Sequence, residues 1–459
     1  MTKQLTVNQA YTGETLAQLD MHDAAQVDAM LSKAKSLHDS GSLPIHERIA
    51  VLKKLATLIA DEHEMFSQLI ANEGGKPIRD ARVEVTRAVG GVDIAIREMQ
   101  GIKGEEIPMD LSAAGAGRKA FTVMEPIGVV VAVSAFNHPL NLAIHQVIPA
   151  IATGCPVIIK PAAVTPLSTL RLAELIAEAG LPEGWVQVAL TDRENSEKLV
   201  TDSRVAFFSF IGSAKVGWYL KSKLAPGTRC ALEHGGVAPL IFDSCHDEEA
   251  FINGMVKASM YHSGQVCVSV QRVYVPEARA QELAQKIADV ASKQKVGDAI
   301  NEDSDLGPLI LPKETDRIEA WVNEAIDEGA QLITGGKRIN AVSYEPTVLL
   351  NPPNNSKVST QEIFGPVVCI YAYDDIENAI KQANSLDVSF QASVFSTDVT
   401  KAMGVARKLE ASAVMINDYT TFRVDWMPFA GRKHSGYGIG GIGYTMRDML
   451  EHKMVVIKE

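Results

Sequence analysis

A carboxylic acid and a thiol stand 34 positions apart in this sequence, each near glycines that let backbone approach a ligand closely. Glu233 precedes Gly235 and Gly236, and Cys267 follows Gly264. An ordinary thiol is mostly protonated at neutral pH, so a cysteine nucleophile needs a nearby base. The pair predicts a nucleophile, Cys267, and a base, Glu233. Without further context, a small buried cysteine and a solvated glutamate would be the commoner interpretation.

Five further motifs occur in an order that is known from one enzyme family. They are Phe136-Asn137-His138-Pro139, Pro156-Val157-Ile158-Ile159-Lys160-Pro161, Phe210-Ile211-Gly212-Ser213, Glu362-Ile363-Phe364-Gly365-Pro366 and Pro428-Phe429-Ala430-Gly431-Arg432-Lys433-His434-Ser435-Gly436. Together with the acid and the thiol they resemble the signature of the aldehyde dehydrogenase superfamily. The chain looks most like the branch of lactaldehyde, non-phosphorylating glyceraldehyde-3-phosphate and phosphonoacetaldehyde dehydrogenases. The resemblance implies oxidation of an aldehyde to a carboxylic acid with NAD or NADP.

Length and charge narrow the range of partners. At 459 residues the chain is long enough for two to four domains with sizeable cores. Hydrophobic residues make up 46% and charged residues 22%, which is ordinary for an α/β enzyme and too apolar for a disordered chain. The net charge of -12 leaves no basic surface for nucleic acid or an anionic membrane. We therefore expect a small-molecule substrate, with no nucleic acid and no membrane as partner.

Cysteine usage predicts a reducing compartment. The chain has five widely spaced cysteines and no Cys-x-x-Cys, so neither a disulfide framework nor a metal site is indicated. Residues 1–5 begin no apolar run of signal-peptide length, and no apolar segment reaches the ~18 residues that a membrane span needs. We expect a cytoplasmic protein.

Apolar strands that alternate with amphipathic helices predict the fold. Residues 127–190 show this alternation, which is typical of a parallel sheet covered on both faces that binds a nucleotide at its carboxyl edge. A second alternation follows residue 238, with a helix over 248–262 and a strand over 268–275. The fold class is predicted as α/β, with a Rossmann-like parallel-sheet cofactor domain, an α/β catalytic domain and a small β oligomerisation element. The expected boundaries are 1–107 and 126–231, 232–440, and 108–125 and 441–459, respectively.

Three residues are predicted to carry the chemistry. Cys267 would add to the aldehyde carbon to give a thiohemiacetal, which hydride transfer would turn into a thioester. The developing oxyanion needs preorganised donors, each worth ~10²–10³-fold in rate, and the Asn137 amide and the Cys267 backbone N–H suit that task. Glu233 would deprotonate the water that releases the acid. The competing interpretation of Asn137 is a turn residue before Pro139.

The resemblance implies a cofactor site that lacks the Gly-x-Gly-x-x-Gly fingerprint. Its implied residues are Phe136, Lys160, Ala163, Gly212, Ser213, Glu362 and Phe364. Amides at the start of the helix after Ser213 would meet the pyrophosphate. NAD-preferring relatives usually carry a glutamate at the position of Ala163, where a carboxylate repels a 2′-phosphate. Its absence predicts that NADP is accepted. Two other departures, His234 and Val237, have no assigned role.

The resembled branch holds an anionic or hydroxylated substrate end with arginines and polar side chains. The residues at matching positions are Arg87, His138, Arg423 and Phe429. Some relatives also carry an arginine directly before the cysteine, where this chain has Val266, so we expect a small polar or anionic aldehyde. Asp425 offers an alternative, because a pairing with Arg423 would make that arginine structural.

Two other functions and one assembly complete the expectations. A CoA-acylating aldehyde dehydrogenase shares the fold but commonly lacks the base that Glu233 supplies. A structural or binding homologue without turnover would not need Asn137, Glu233 and Cys267 together. Residues 101–124 and 454–457 resemble the strands through which superfamily subunits pair, so a homodimer or homotetramer is expected.

Overall fold

The computed structural model describes residues 3–459, so Met1 and Thr2, where the predicted cofactor domain begins, lie outside the described residues. The described chain contains fifteen α-helices. They are α1 (Ala24–Asp39), α2 (Ile45–Asp61), α3 (His63–Gly74), α4 (Ile78–Met99), α5 (Pro139–Thr153), α6 (Leu167–Glu178), α7 (Arg193–Thr201), α8 (Ala214–Lys221), α9 (Glu248–Met260), α10 (Glu277–Ala291), α11 (Pro312–Asp327), α12 (Lys357–Thr360), α13 (Ile376–Ala383), α14 (Val399–Lys408) and α15 (Ile442–Asp448).

The strands assemble into two large sheets and several small ones. They are β1 (Gln4–Asn8), β2 (Thr15–Asp20), β3 (Glu106–Ile107), β4 (Arg118–Pro126), β5 (Val129–Val133), β6 (Val157–Lys160), β7 (Val186–Val188), β8 (Val205–Ile211), β9 (Arg229–Glu233), β10 (Pro239–Phe242), β11 (Arg272–Pro276), β12 (Gln331–Thr334), β13 (Arg338–Asn340), β14 (Ser343–Tyr344), β15 (Thr347–Leu350), β16 (Val367–Tyr373), β17 (Val388–Ser389), β18 (Gln391–Phe395), β19 (Ala413–Ile416), β20 (Arg432–Lys433), β21 (Gly436–Tyr437) and β22 (Leu450–Lys458).

The first large sheet has the order β21-β9-β8-β5-β6-β7. Its strands run parallel from β9 to β7, and the short β21 joins the β9 edge antiparallel. Successive residues of β5 face opposite cores, because Val130 and Ala132 pack among α2, α4, α5 and α6 while Val129 and Val131 pack on the side of α1 and α7. This two-sided burial explains why β5 is a continuous apolar run.

The second large sheet has the order β12-β15-β16-β11-β10-β18-β19 and is parallel except for β12. It also divides two cores, since Ile241 of β10 packs with α11, α13 and α14, whereas Leu240 and Phe242 pack with α9 and α10. Two parallel sheets, each between helix layers, confirm the predicted α/β class. Within residues 3–459, no helix has the combination of length and hydropathy that crossing a membrane requires.

A third, three-stranded sheet of order β22-β4-β3 stands apart from the two large ones. All nine residues of β22 pair antiparallel with β4. The helix before it, α15, packs in the first core through Ile442, Met446 and Met449. The expected boundary at residue 441 therefore separates α15 from the core into which it packs, because the helix buries its apolar face against α4 and α5.

Residues 261–271 form a loop where the sequence predicted the end of a helix and the start of a strand. Helix α9 ends at Met260, and β11 does not begin until Arg272. The apolar alternation that suggested a strand has another origin, since Val266 and Val268 pack with Phe390 and Phe429 in a small separate cluster. Val266, Val268 and Phe429 line the cavity described next.

Candidate active site

A cavity of about 850 Å³ opens at the carboxyl ends of β5, β6, β8 and β9. It reaches across to the loop that precedes β11 and to residues that follow β19. All fourteen residues that the sequence singled out line it, namely Arg87, Phe136, Asn137, His138, Lys160, Ala163, Gly212, Ser213, Glu233, Cys267, Glu362, Phe364, Arg423 and Phe429. The fold thus brings together side chains drawn from most of the chain's length.

Cys267 lies in a loop with an unusual backbone. The three consecutive residues His262, Ser263 and Gly264 have φ values of 49°, 54° and 72°, a region that few residues other than glycine adopt. The loop is held there by burial and by the Ser263 hydroxyl, which donates to the Gly307 carbonyl at 2.6 Å. A fixed loop keeps the thiol in one place in the cavity.

Asn137 is fastened to the same loop. Its Nδ2 donates to the carbonyl of Gln265 at 2.9 Å, two residues before Cys267. One N–H bond of the amide is thereby used, and the second stays free for a group in the cavity. The Cys267 backbone N–H makes no hydrogen bond to another residue within 3–459. Two donors therefore accompany the thiol.

The start of α5, directly after Asn137, is fixed by α4. Pro139 occupies the first helical position, where its missing N–H costs nothing. The free N–H groups of Leu140 and Asn141 both donate to Glu84 Oε1 at 3.1 Å. The other Glu84 oxygen pairs with Lys76, and both side chains of this ion pair are fully buried. Because the Glu84 carboxylate also accepts these two backbone N–H groups, burial of the pair is tolerated.

Burial raises the pKa of both the thiol and the carboxylic acid. It raises the pKa of Cys267 to about 12, assisted by the carboxylates of Glu362 and Glu233 and opposed by Arg423. It also raises the pKa of Glu233 to about 7, again against Arg423. A thiol of this kind needs a base to react, and a carboxyl group that titrates near neutrality can both accept and return a proton.

Asp425 is the hub of a buried polar cluster. Arg87 grips it with two hydrogen bonds, Nη2 to Oδ1 at 2.6 Å and Nε to Oδ2 at 3.1 Å. His145 Nε2 lies 2.9 Å from Oδ1, and Asn141 Nδ2 donates to it at 3.4 Å. Burial would raise the pKa of Asp425, but the hydrogen bonds from His145 and Arg87 outweigh it and hold the pKa well below its usual range. The carboxylate is therefore permanently charged.

Arg423 remains largely outside this cluster. Its Nε is 3.7 Å from Asp425 Oδ1, beyond hydrogen-bond range, and its guanidinium donates no hydrogen bond to any residue of the described chain. The side chain is 12% exposed and its Cζ lies 3.5 Å from the centre of the Phe429 ring. Asp425 therefore forms a hydrogen-bonded ion pair with Arg87 and a longer ion pair, without a hydrogen bond, with Arg423.

His138 also lines the cavity without a side-chain hydrogen bond to the described residues. It is 9% exposed, and its ring nitrogens make no hydrogen bond within residues 3–459. Burial, with the positive charges of Lys76 and Arg87 nearby, holds the pKa of His138 well below its usual range. Its imidazole is therefore neutral and offers one donor and one acceptor.

Comparison with known proteins identifies the family of this chain. The profile described as "Aldehyde dehydrogenase family" matches residues 1–455. The chain belongs to the aldehyde dehydrogenase family. It is 39% identical to 3-sulfolactaldehyde dehydrogenase of Priestia aryabhattai, over 99% of this chain and 95% of that protein. The resemblance stated from the motifs is confirmed, and this aldehyde dehydrogenase oxidises its substrate with NAD or NADP.

Two solved structures superpose on this aldehyde dehydrogenase. Aldehyde dehydrogenase 21 from Physcomitrella patens, in complex with its reaction product succinate, gives a TM-score of 0.96 at 36% identity, over 100% of this chain and 95% of that one. Glyceraldehyde-3-phosphate dehydrogenase GapN from Methanocaldococcus jannaschii, complexed with NADP, gives 0.94 at 33% identity over 100% of both chains.

The far end of the cavity fits a dinucleotide. Ser213 stands at the N-terminus of α8 without a capping hydrogen bond, so the first amides of the helix are free to bind an anion. Lys160 ends β6, and burial lowers its pKa. The carboxylate of Glu362 lies against Gly235, where a Cβ would collide with it, and its Oε1 is buried without a partner. Burial raises the pKa of Glu362 to about 8. These groups match the phosphates and ribose hydroxyls of NAD or NADP.

His234 follows the proposed base, Glu233, in the chain and contacts the turn at the cofactor end of the cavity. Its Nδ1–H donates to the Gly212 carbonyl at 2.8 Å, in the turn before α8, while its Nε2 is buried without a partner. The ring packs between Phe210 and Trp218, at centroid distances of 5.6 and 6.0 Å. The histidine at this position therefore adds a side-chain hydrogen bond to this turn. Val237, the other departure, is simply buried.

Sequence reasoning missed several residues of the site. The Lys76 and Glu84 pair carries no motif of its own, since its partners lie in a helix break and in the following helix. His145 is one apolar-face position of α5 among many. Gln265, which holds Asn137, was visible as part of the motif around Cys267, and that motif was the signal that could have identified it.

Proposed function

We propose that Cys267 is the nucleophile of this dehydrogenase, Glu233 its base and Asn137 its oxyanion donor. Glu233 takes the thiol proton as Cys267 Sγ bonds to the aldehyde carbon. The negative charge that forms on the aldehyde oxygen is met by the free N–H of Asn137 and by the Cys267 backbone N–H. When bound, the nicotinamide supplies the acceptor for the hydride that leaves the adduct carbon, and a thioester to Cys267 remains.

Glu233 then serves a second time. Once the proton taken from Cys267 has left Glu233 for solvent, the carboxylate accepts a proton from water, the resulting hydroxide adds to the thioester carbon, and the carbon–sulfur bond breaks to release the acid and the Cys267 thiolate. A pKa near 7 supports this assignment, because the carboxylate is then basic enough to take a proton and is still ionised above neutrality. Cys267→Ala should therefore abolish oxidation, and turnover that persists in this variant would remove the thiol from the mechanism.

The dinucleotide is proposed to lie from Ser213 to Glu362. Phe136 and Phe364, whose ring centroids are 5.8 Å apart, flank the nicotinamide end of this path. The positive Lys160 and the small, exposed Ala163 favour acceptance of a 2′-phosphate, since no carboxylate stands at position 163 to repel it. We propose that NADP binds at least as well as NAD.

The substrate is proposed to be a small aldehyde whose other end carries a negative charge. The single observation behind this proposal is the Arg423 guanidinium, which is almost buried at the cavity and lacks a hydrogen-bond acceptor. A buried arginine without an acceptor is costly unless a ligand provides one. Neutral His138 next to Asn137 would add a hydrogen bond to a hydroxyl or to the anion itself. One relative is a 3-sulfolactaldehyde dehydrogenase, and aldehyde dehydrogenase 21 holds succinate as its reaction product.

Arg423→Leu tests the substrate assignment. Loss of a charge-assisted hydrogen bond costs about 1.5–3 kcal/mol, or ~10–150-fold in kcat/KM. We expect a loss of this size with succinic semialdehyde and a far smaller one with propanal, both measured near pH 9 so that Glu233 is ionised. Arg447→Leu, at an exposed arginine, is the control and should change neither value. Equal losses with both aldehydes would contradict the assignment.

A CoA-acylating activity is the second candidate, and Glu233 argues against it. Its carboxylate lines the cavity with Cys267 and serves to activate water. In a CoA-acylating enzyme, CoA instead of water would take the acyl group. Product analysis with and without CoA distinguishes the two, because only the acylating enzyme requires CoA for NAD(P)H formation.

Homodimer or homotetramer formation is proposed to use the third sheet. β22 is an edge strand with three exposed apolar residues, Met454, Val456 and Ile457, and Phe121 of β4 is also exposed. An exposed apolar edge favours pairing with another chain. The domain boundaries and a reducing, cytoplasmic location are proposals of the same standing, the latter supported by five cysteines that are all free.

A further inference from the structure

The charges around the aldehyde end of the cavity cancel, with the exception of one cation. Lys76 pairs with Glu84, and both hydrogen-bonding edges of the Asp425 carboxylate receive Arg87. Asp80 and Lys257 also line the cavity, and their charges are opposite in sign. Arg423 is the remaining cation, since Asp425, 3.7 Å from its Nε, already receives the two hydrogen bonds of Arg87.

The neutral groups around this cation stay neutral. Burial lowers the pKa of both His138 and His145. The pKa of Cys267 is raised to about 12 and that of Tyr261 is raised as well, in each case by burial first. At the aldehyde end, Glu233 is the group whose charge changes near neutrality, whereas Glu362, whose pKa burial raises to about 8, belongs to the cofactor end. The aldehyde end of the cavity therefore carries one surplus positive charge, which becomes zero when Glu233 ionises.

The negative charge of Asp425 determines this net charge of the cavity. Without its charge, Arg87 and Arg423 would be two unpaired cations in one cavity, an arrangement suited to a dianion. With it, Arg87 is neutralised by two hydrogen bonds and by the support that His145 gives to the same carboxylate. Asp425 is 6% exposed, so little solvent screens its field.

We infer that Asp425 is a specificity-determining residue: it fits the cavity to aldehydes whose far end carries one negative charge, such as a carboxylate or a sulfonate, and disfavours dianionic phosphates and phosphonates. The inference rests on the proposed function of Arg423 as the group that receives the anionic end. A second negative charge on the ligand would find no cation of its own and would lie near the carboxylates of Asp425 and Glu233. At an effective dielectric constant of about 20, one like charge several ångströms away changes binding about tenfold to a hundredfold.

The test uses two aldehydes that differ in charge and little in shape, 3-sulfopropanal and 3-phosphonopropanal. Near pH 8.5 the sulfonate carries one charge and the phosphonate two. For the wild-type enzyme, we expect kcat/KM to be at least about tenfold higher with the sulfonate. Asp425→Asn should reduce this ratio about tenfold or more. Asp425→Glu, which keeps the charge, should preserve the preference for the sulfonate.

A charge-balanced double variant separates electrostatics from damage to the fold. Arg87→Gln combined with Asp425→Asn removes one charge of each sign, so the preference for the sulfonate should return. Competitive inhibition of the wild-type enzyme by ethanesulfonate and ethylphosphonate provides a measurement that needs no variant. Tighter inhibition by ethanesulfonate supports the inference, and equal or tighter inhibition by ethylphosphonate overturns it.

The outcomes distinguish this inference from the proposed function. If Asp425→Asn leaves the ratio unchanged while Arg423→Leu still loses activity selectively on both anions, the role of Asp425 is overturned and that of Arg423 stands. If Arg423→Leu affects propanal and the anions alike, the proposed function fails first. A wild-type enzyme that prefers the phosphonate overturns the inference directly.

Discussion

Replacing Glu233 with glutamine should slow the release of the acid and, at alkaline pH, make the folded enzyme more stable. Burial raises the pKa of Glu233 to about 7, although Arg423 acts in the opposite direction. The ionised carboxylate therefore sits in surroundings that disfavour its charge. Glutamine keeps the length and shape of the side chain but has no charge and accepts no proton from water. One substitution thus has two separately measurable effects.

The size of the stability effect follows from the pKa shift. A rise from 4.5 to about 7 corresponds to about 3 kcal/mol, because one pKa unit is worth about 1.4 kcal/mol. Since the folded pKa lies above the unfolded one, the cost of ionisation is absent below pH 4.5, grows as the pH rises, and is complete above about pH 7. About 3 kcal/mol is the upper limit of the gain, because glutamine also deprives Arg423 of a nearby negative charge.

Thermal unfolding at about pH 5 and pH 8.5 measures this gain. A change of 1 kcal/mol shifts Tm by roughly 2–4 °C in a cooperative unit of 150–250 residues. The Tm of Glu233→Gln should therefore exceed that of the wild type by up to roughly 10 °C at the higher pH and by little at the lower one. In stopped flow, the variant should release about one equivalent of NAD(P)H per site more slowly than the wild type, because no carboxylate takes the thiol proton, and should then turn over ~10²–10⁴-fold more slowly.

A surface variant completes the experiment. Glu249→Gln lies at an exposed position of α9 and should match the wild type in both measurements. A stability difference between Glu233→Gln and the wild type that does not grow with pH would refute the buried-charge reasoning. Undiminished steady-state turnover would refute Glu233 as the base that releases the acid.

Four further outcomes are expected. Cys267→Ala should bind NAD(P)H, as followed by fluorescence, but should form none from aldehyde; any burst would contradict its role. Ala163→Glu should shift preference toward NAD, and a wild-type affinity for NADP a hundredfold weaker than for NAD, roughly 2.7 kcal/mol, would disprove the basis of this prediction. His234→Leu removes one hydrogen bond from the turn before α8, so the Kd of NADP should rise about 2–10-fold while the aldehyde KM stays constant; the opposite pattern would contradict it. Val456→Glu should shift sedimentation at micromolar concentration toward monomer, and a monomeric wild type would disprove the proposed edge contact.

The layered fold could be predicted because its signals are local. Strand β5 is apolar on both faces since each face meets a helix layer, and this need produces an unbroken apolar run in the sequence. The loop over residues 261–271 could not be predicted in the same way. The apolar pattern of Val266 and Val268 is strand-like, yet the two side chains pack in the cavity wall, and the left-handed backbone at His262 and Ser263 leaves no signal in residue types that usually avoid it.

Within the site, residues in short motifs could be predicted, whereas contacts between distant residues could not. The residues around Cys267 and Glu233 form short motifs, so their presence in one cavity could be anticipated from their order. The hydrogen-bonded partner of Asp425 could not be anticipated. Asp425 is two residues away from Arg423 along the chain, but its carboxylate binds Arg87, 338 positions earlier in the sequence. The neighbouring Arg423 forms only a longer ion pair with this carboxylate, at 3.7 Å, so the hydrogen-bonded pair is the one between distant residues.

Ion pairs between distant residues also explain why motifs that identify an aldehyde dehydrogenase do not identify its aldehyde substrate. Addition to carbon, stabilisation of an oxyanion and activation of water require the same groups for every substrate, and these groups lie in contiguous motifs. In the proposed function, recognition of the far end depends on a charge balance among α4, α5 and the loop after β19, where Arg87, His145, Arg423 and Asp425 meet. A change at any one of these four residues alters the net charge or the donor that faces the ligand. The substrate is therefore determined by contacts that only the folded chain brings together.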